Sequence, residues 1–179
     1  MSKQHAISWH NLSHQLIASR LVDGDMFAGN EIQLRVDQVL MQDALSTLTM
    51  QALEAMEIEK IAVALACQYV DHNLLQTDFR NHDDHLFLQS YCAKLGIYYS
   101  GPGNGISHPT HQEYFSKPGS LLVGTDSHTP ANGSMGMLAI GVGSVEGASI
   151  LAGEPLSISM PQVMGVYVSG KLPEWVSAK

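Results

Sequence analysis

The chain has 179 residues, of which 45% are hydrophobic, and this composition indicates a folded globular protein rather than a disordered one. Nine basic residues stand against seventeen acidic residues, which leaves a net charge of −8. The lysines and arginines are spread singly along the chain, so we expect neither a nucleic-acid partner nor binding to an anionic membrane surface.

Cysteine usage and the N-terminal sequence predict a cytoplasmic protein. Cys67 and Cys92 are the only cysteines and lie outside any CxxC pattern. We therefore expect two buried thiols in a reducing compartment rather than a disulfide framework or a metal clip. The first residues lack the apolar core of a signal peptide, and no later segment is long enough to span a bilayer.

Residues 1–30 are predicted to form an N-terminal helical segment. Apolar and polar residues in helical spacing indicate an amphipathic helix over residues 11–22. His10 and His14 are four residues apart and therefore share one face of this helix. Such a pair can bind a metal ion, but a solvated helix face is the favoured interpretation.

The rest of the chain, residues 31–179, is predicted to form an α/β domain in which strands and helices alternate. The apolar patterns predict strands at 31–40, 61–66, 97–99, 121–123 and 163–168, and helices at 44–56, 81–95 and 137–152, with a short helix after His108. This order predicts a three-layer α/β/α domain with a mainly parallel sheet. Gly141, Gly143 and Gly147 form GxGxxxG rather than GxGxxG, so they predict close packing and not a dinucleotide site.

Two of the predicted helices carry more specific expectations. In the helix at 44–56, one apolar set is predicted to face the core: Leu45, Leu48, Leu53 and Met56. In the helix at 81–95, Asn81 is predicted to be the N-cap. His82 and His85 are expected to be exposed near the start of that helix.

The stretch 121–136, LLVGTDSHTPANGSMG, places four consecutive polar side chains after a short apolar run. In an extended backbone Asp126 and His128 project to one side and Ser127 to the other, and Thr129 is expected to be extended because a proline follows it. The first free amides of a following helix favour an anion such as a carboxylate. The alternative is an ordinary strand-to-helix turn that uses Asp126 and Ser127 as caps.

Four polar strings fall just after predicted strands. They are Gln42, Asp71–His72, His108 and Asp126–Ser127–His128. We expect them along one rim, because ligands of open α/β sheets sit outside the carboxyl ends of the strands. A histidine beside an aspartate keeps its proton at neutral pH and has its tautomer fixed, so this rim can transfer protons and bind carboxylates.

The same residue types occur in other kinds of site. The histidines and aspartates could hold zinc or iron directly, which leaves a mononuclear metal hydrolase as an alternative. A serine-hydrolase relay fails because Asp126, Ser127 and His128 are adjacent and no GxSxG elbow is present. No cysteine lies near the strings, so an iron–sulfur cluster has no ligands within this chain.

Taken in order, these strings resemble motifs of the aconitase family. The matching segments are MQDA (41–44), YVDHN (69–73), SGPGNGISHP (100–109), GTDSHTPANG (124–133), AIGVG (139–143), AGEP (152–155) and the segment 160–179. Their order and spacing agree over nearly the whole chain. The GT pair before DSHTP and the PANG after it favour the aconitase branch over its nearest relative, isopropylmalate dehydratase.

The resemblance implies an aconitase N-terminal-domain-like fold and a hydro-lyase that isomerises citrate to isocitrate through cis-aconitate at a [4Fe-4S] cluster. It implies catalytic roles for Asp71, His72, His108, Asp126 and His128. The first two match the pair that protonates the leaving hydroxyl, and His108 and Asp126 match a second pair near the cluster-bound water. Gln42 and Ser127 match substrate-binding residues, Ser127 as a contact of a substrate carboxylate.

Two departures and the chain length set limits to the resemblance. Pro109 stands where the family usually has glutamine, and it is expected to hold His108 in extended geometry and to remove a backbone donor. Ser107 replaces a bulkier apolar residue or a cysteine. The chain matches only the first part of the family, whose cluster cysteines, carboxylate-binding arginines and serine base lie in later regions.

The resemblance therefore implies a chain that is inactive by itself and works with the remaining aconitase domains or a complementary subunit. The alternatives are a non-catalytic tricarboxylate-binding protein or partner subunit that kept the fold, and a related isopropylmalate or homoaconitate hydratase. A domain of a larger enzyme should also expose apolar surface where its neighbours pack.

Overall fold

The computed structural model describes residues 11–177, so the metal-binding alternative for His10 and His14 lies in part outside the described residues. In chain order the elements are α1 (Leu12–Arg20), β1 (Leu21–Gly24), β2 (Glu31–Leu34), β3 (Gln38–Gln42), α2 (Asp43–Ala55), β4 (Leu65–Tyr69), α3 (Arg80–Leu95), β5 (Tyr98–Ser100), α4 (Ser107–Tyr114), β6 (Leu121–Gly124), a 3₁₀ helix (Thr129–Met135), β7 (Leu138–Gly141), α5 (Ser144–Ala152) and β8 (Leu156–Ser159). Within the described range, no helix combines the length and apolar character that crossing a membrane requires.

The central sheet has five strands in the order β5–β4–β3–β6–β7, and every neighbouring pair is parallel. Along its middle strand, Val39 and Met41 pack into one apolar cluster, whereas Leu40 packs into a second cluster on the opposite face. Apolar residues on both faces explain why these strands are short continuous apolar runs. The predicted α/β fold with a mainly parallel sheet and flanking helices is confirmed.

A second, antiparallel sheet has the order β1–β2–β8, and the prediction of one strand over 31–40 is wrong. That segment contributes β2 to the small sheet and β3 to the central sheet, and it changes sheet around Asp37. The Asp37 carboxylate accepts hydrogen bonds from Arg20 Nε at 2.5 Å and from the Leu121 amide at 2.8 Å. These bonds anchor the crossing between the two sheets. The first helix also ends earlier than predicted, because β1 begins directly after Arg20.

The single helix predicted over 137–152 is also wrong. Gly136 has a φ of +72° and ends the 3₁₀ helix, after which residues 138–141 form β7 in parallel register with β6. Gly143 then precedes α5. Small residues satisfy a helical pattern and a strand pattern equally well, and pairing with β6 decides between them.

Two predicted strands are misplaced. The apolar run 61–66 lies mostly before β4, which begins at Leu65. The strand also contains the polar residue Gln68, whose buried side-chain amide donates to the Tyr69 carbonyl oxygen at 2.7 Å. Residues 163–168 form no strand, and Tyr167 there is 92% exposed. The last strand of the described chain is β8 instead.

The core-facing side of α2 differs from the predicted one. Of the predicted apolar set, only Leu53 is buried, and the other members are exposed: Leu45, Leu48 and Met56. Two small polar side chains are buried in their place. Ser46 Oγ donates to the Gln42 carbonyl at 2.5 Å, and Thr49 Oγ1 donates to the Ser144 carbonyl at 3.2 Å. These small residues let α2 pack closely against α5.

The start of α3 differs from the prediction as well. The helix begins at Arg80, whose amide donates to Asp78 Oδ1 at 3.0 Å, so Asn81 is not the N-cap. His82 is exposed as predicted, whereas His85 is buried and the prediction of its exposure is wrong.

Candidate active site at the carboxyl ends of the central strands

Loops after three adjacent strands bring most of the predicted residues together. β3 lies between β4 and β6, so the loop that carries Asp71 and His72 and the turn that carries Asp126 flank the start of α2. His108 joins them from α4. This places the predicted residues along one edge of the sheet, as parallel strands require.

Asp126 is the centre of this rim. Its buried Oδ1 accepts hydrogen bonds from His108 Nε2 at 3.0 Å and from the His128 amide at 2.7 Å. Its Oδ2 lies 3.0 Å from His72 Nε2. Burial raises the pKa of a carboxyl group, but the His128 amide and the His108 ring outweigh burial, and the pKa of Asp126 is lowered. Asp126 is therefore ionised and holds two imidazoles that come from different elements.

His72 lies between two carboxylates. Its Nδ1 is 2.7 Å from Asp71 Oδ1, and its Nε2 faces Asp126. Contacts of both ring nitrogens with carboxylate oxygens favour a proton on each nitrogen. Burial lowers the pKa of His72, but Asp71 first, and then the charges of Asp126 and Asp43, raise it above the ordinary value. The side chain is 39% exposed, so the protonated form that the two carboxylates favour is accessible to solvent.

The prediction that Pro109 holds His108 in extended geometry is wrong, because both residues lie in the first turn of α4. The first-turn amides of a helix have no partner inside the helix, so Pro109 costs α4 no hydrogen bond. The start of α4 is fixed instead by Asp71, whose Oδ2 accepts the Ser107 amide at 2.7 Å. Asn132 Nδ2 lies 3.3 Å from His108 Nδ1, and donation there leaves the ring proton on Nε2, which faces Asp126.

The segment after β6 is a tight turn, and the prediction of an extended backbone is wrong. Thr129 begins the 3₁₀ helix, and its Oγ1 donates to the Asp126 carbonyl at 2.6 Å. The carboxylate of Asp126 also accepts the His128 amide. The hydrogen bonds that stabilise this turn therefore also fix the orientation of the Asp126 carboxylate. Ser127 Oγ is 3.3 Å from His128 Nδ1, and the His128 side chain is 82% exposed.

Gln42 is buried at the end of β3 and caps α2. Its Oε1 accepts the Ala44 amide at 2.6 Å. The oxygen is therefore engaged in the cap of α2.

Two residues of this region are not among the predicted site residues. Asp43, the first residue of α2, accepts hydrogen bonds from the amides of the loop that carries Asp71 and His72. His85 reaches the same carboxylate from α3, with its Nε2 3.0 Å from Asp43 Oδ2. The sequence signal was an acidic residue directly after a buried strand, next to Gln42.

An open cleft of about 600 Å³ adjoins the rim. Its lining includes Thr125, Asp126, Ser127, Gly141, Gly143 and Glu146. The chain there approaches closely, because a Cβ on Gly141 would lie 3.2 Å from the Asp126 carbonyl oxygen. The lining combines hydroxyl side chains, the acidic residues Asp126 and Glu146 and the start of α5, so the cleft is polar.

His111 lies beneath the rim and does not open onto it. The fully buried ring lies 3.0 Å from Tyr69 Oη through Nδ1 and 3.0 Å from Gln38 Oε1 through Nε2. Burial, with the charge of His108, lowers the pKa of His111 to about 4. The ring is therefore neutral at pH 7 and serves as a donor and acceptor within the fold.

The residues of this chain do not fit a [4Fe-4S] cluster. Cluster ligands are thiolates, and the chain's two cysteines are buried in β4 and α3, where burial raises the pKa of both thiols to about 12. A direct metal site is no better supported. Ligand atoms of Asp43, Asp71 and His72 lie within 4.8 Å of one another, but their oxygen and nitrogen atoms already pair with amides, with each other and with Asp126.

Comparison with known proteins identifies a family that this chain resembles over most of its length. A model of the aconitase family (aconitate hydratase) matches residues 14–179. The mitochondrial aconitate hydratase of Schizosaccharomyces pombe is 35% identical over 158 residues, which cover 83% of this chain and 20% of the relative. The mitochondrial aconitate hydratase of Arthroderma benhamiae is 36% identical with the same coverage. The mitochondrial homocitrate dehydratase of Saccharomyces cerevisiae is 35% identical over 162 residues, which cover 84% of this chain and 20% of the relative.

Proposed function

The chain belongs to the aconitase family, and we propose that its rim is the proton-donating wall of a hydro-lyase active site. The observation that carries the proposal is the position of His72 between Asp71 and Asp126, with its pKa raised above the ordinary value. A general acid needs a proton at neutral pH and access to its substrate. The two carboxylates favour the protonated form of His72, and its side chain is 39% exposed.

In the proposed reaction, the C–O bond of a hydroxy acid breaks and the hydroxyl leaves as water with the proton of His72. The proton from the neighbouring carbon passes to a base outside this chain, and the two carbons form a double bond. Rehydration reverses these steps. Ser127 would contact a substrate carboxylate at the cleft, the exposed His128 ring next to it would face the same substrate, and Asp126 keeps His72 and His108 oriented.

The substrate we propose is a hydroxy-tricarboxylate, with citrate, isocitrate and cis-aconitate first. The relatives are named aconitate hydratases and, in one case, a homocitrate dehydratase, which supports a tricarboxylate and leaves homocitrate as the second candidate. The cytoplasmic location stays a prediction, and these relatives carry mitochondrial names.

The chain spans 20% of the length of the relatives it matches, and we propose that it acts together with the remaining domains or a complementary subunit. Its exposed apolar side chains support this, because large exposed apolar patches mark interaction surfaces. Among the described residues, the most exposed examples are Leu75, Phe79, Tyr114, Met164, Val166, Tyr167, Val168 and Trp175. Thiolates for a [4Fe-4S] cluster and the base would come from that other region.

A chimaera tests the proposal. The chain replaces the matching segment of the Schizosaccharomyces pombe aconitate hydratase, and interconversion of citrate, cis-aconitate and isocitrate is measured. We expect turnover in the chimaera and none in the isolated chain. Removing a general acid costs about 10²–10⁴ in rate, so His72→Ala should reduce kcat by that factor, while His82→Ala on the exposed face of α3 leaves it unchanged.

Two outcomes would contradict the proposal. Undiminished turnover in chimaeras with His72→Ala and His128→Ala would remove these residues from the site. Tight binding of citrate by the isolated chain, combined with a chimaera that folds and has no turnover, would favour a tricarboxylate-binding protein that kept the fold.

A further inference from the structure

Asp43 is a buried acceptor behind the rim, and both of its oxygens are fully used. Oδ1 accepts the amides of Asp71 at 3.0 Å and His72 at 2.9 Å. Oδ2 accepts the amide of Asn73 at 2.9 Å and Nε2 of His85 at 3.0 Å. An ionised carboxylate has about four acceptor sites, and four donors occupy them here.

Only the ionised form of Asp43 can accept all four donors. Burial raises the pKa of a carboxyl group, but the hydrogen bonds from His72, Asn73, His85 and Asp71 outweigh it, and the pKa of Asp43 is lowered. A proton on either oxygen, or an amide group in place of the carboxylate, would set a hydrogen against buried N–H donors.

His85 is itself held in one tautomer. Gln76 Nε2 lies 3.1 Å from His85 Nδ1, so the Gln76 amide donates to Nδ1 and the ring proton stays on Nε2, which points at Asp43. The ring is buried within the sixteen-residue helix α3. The Asp43 carboxylate is thus contacted from α3 at Oδ2, and its two oxygens together bind three amides of the loop.

We propose that Asp43 and His85 are positioning residues for His72. Asp43 fixes three consecutive backbone amides of the loop that carries Asp71 and His72, and His85 donates the hydrogen bond that holds the Asp43 carboxylate in register. The role of His72 as a general acid rests on the proposed function. The role of Asp43 and His85 in positioning His72 does not depend on it. A catalytic group held by its supporting residues keeps its geometry within about 0.5 Å, and His72 needs this to stay near two carboxylates at once.

The test compares His85→Asn with His85→Gln in the 179-residue chain. The Gln amide nitrogen can occupy the position of Nε2 and donate to Asp43, whereas the shorter Asn side chain cannot reach it. The measurements are the ring ¹⁵N chemical shifts of His72 across pH and the hydrogen-exchange rates of the amides of residues 71–73. His82→Asn, on the exposed face of the same helix, is the control.

We expect His85→Asn to raise amide exchange at residues 71–73 by about tenfold or more, as loss of a hydrogen bond to a charged group implies. The ring ¹⁵N shifts of His72 should move toward those of a free imidazole. His85→Gln should restore both measurements to those of the unaltered chain, and His82→Asn should change neither.

Asp43→Asn provides a second, independent test. We expect this variant to show faster hydrogen exchange at the amides of residues 71–73. The proposal is overturned if His85→Asn and His85→Gln behave alike, or if folded Asp43→Asn leaves the amides and the His72 ring as they were. Turnover is not measured here, so an inactive chimaera would contradict the proposed function and leave this result standing.

Discussion

His72 Nε2 lies 3.0 Å from Asp126 Oδ2, and this contact joins the loop after β4 to the turn after β6 across the start of α2. The two residues follow strands that are not adjacent in the central sheet, since β3 lies between β4 and β6. Their meeting is possible because β3 ends at Gln42 and the chain continues directly into α2 at Asp43. The same contact helps to keep a proton on His72.

Asp126→Asn is predicted to lower the pKa of His72. The amide has one acceptor oxygen in place of two and no charge, so the carboxylate that favours imidazolium is lost. The free energy of unfolding should fall by about 1–3 kcal/mol, because the His108 ring and the His128 amide lose part of their hydrogen-bond acceptor. Ring ¹⁵N shifts of His72 across pH measure the first effect, and denaturant unfolding measures the second.

Asp83→Asn is the matched control for this change, since Asp83 lies on the exposed part of α3. An unaltered His72 titration in folded Asp126→Asn would show that Asp71 alone holds the proton.

The free energy of unfolding is predicted to fall as pH drops from about 6.5 to about 4, because of His111. The folded-state pKa of His111 is about 4, below its ordinary value of 6.5, so the unfolded chain binds more protons in this window. The neutral ring contributes its full stabilisation at pH values above the pKa of His111 in the unfolded chain. This stabilisation is lost as the pH falls to the pKa of His111 in the folded chain. A shift of this size corresponds to about 3 kcal/mol.

Unfolding in denaturant at several pH values measures this slope. His111→Gln keeps an amide that can contact Tyr69 or Gln38 but cannot titrate, so its slope over the same window should be smaller. Equal slopes in the two proteins would assign the acid sensitivity to other groups.

Gly124→Ala is predicted to destabilise the turn that carries Asp126. A Cβ at this position would collide with Oγ1 and Cγ2 of Thr129, and Thr129 holds the turn through its hydrogen bond to the Asp126 carbonyl. Overpacking of this kind costs about 1–3 kcal/mol. Gly133→Ala is the control, because a Cβ on Gly133 meets nothing within 4 Å.

A double-mutant cycle with Thr129→Ala tests the cause of this destabilisation. Thr129→Ala alone removes the hydroxyl, and in combination it also removes most of the collision. The cost of the double variant should therefore be less than the sum of the two single costs. Strict additivity would mean that Gly124 is required for another reason.

The rim was predictable from the sequence because its residues obey a simple rule of parallel sheets. Asp71, His72 and Asp126 follow short apolar runs, and the carboxyl ends of parallel strands share one edge. His108 was harder to place, since Pro109 suggested an extended chain and the first turn of a helix accommodates proline equally well.

The supporting residues could not be predicted in the same way. Asp43 is held by backbone amides of residues 71–73, and a backbone amide leaves no trace in a sequence pattern. His85 looks like a surface residue at the polar start of α3, and only the fold turns it toward Asp43. β7 was missed because small residues suit a helix and a strand equally, so pairing with β6 decided the matter.

The thiols of Cys67 and Cys92 are predicted to be inert in the folded chain. Burial raises the pKa of both to about 12, and thiolates are the forms that alkylate and bind metal. At neutral pH, iodoacetamide should leave both unmodified in the native protein and modify both in denaturant, as intact mass shows. Incubation with iron and sulfide under reducing conditions should assemble no stoichiometric cluster on the isolated chain. Native-state labelling of either thiol would place it at the surface, and a stoichiometric cluster would mean that this chain supplies ligands of its own.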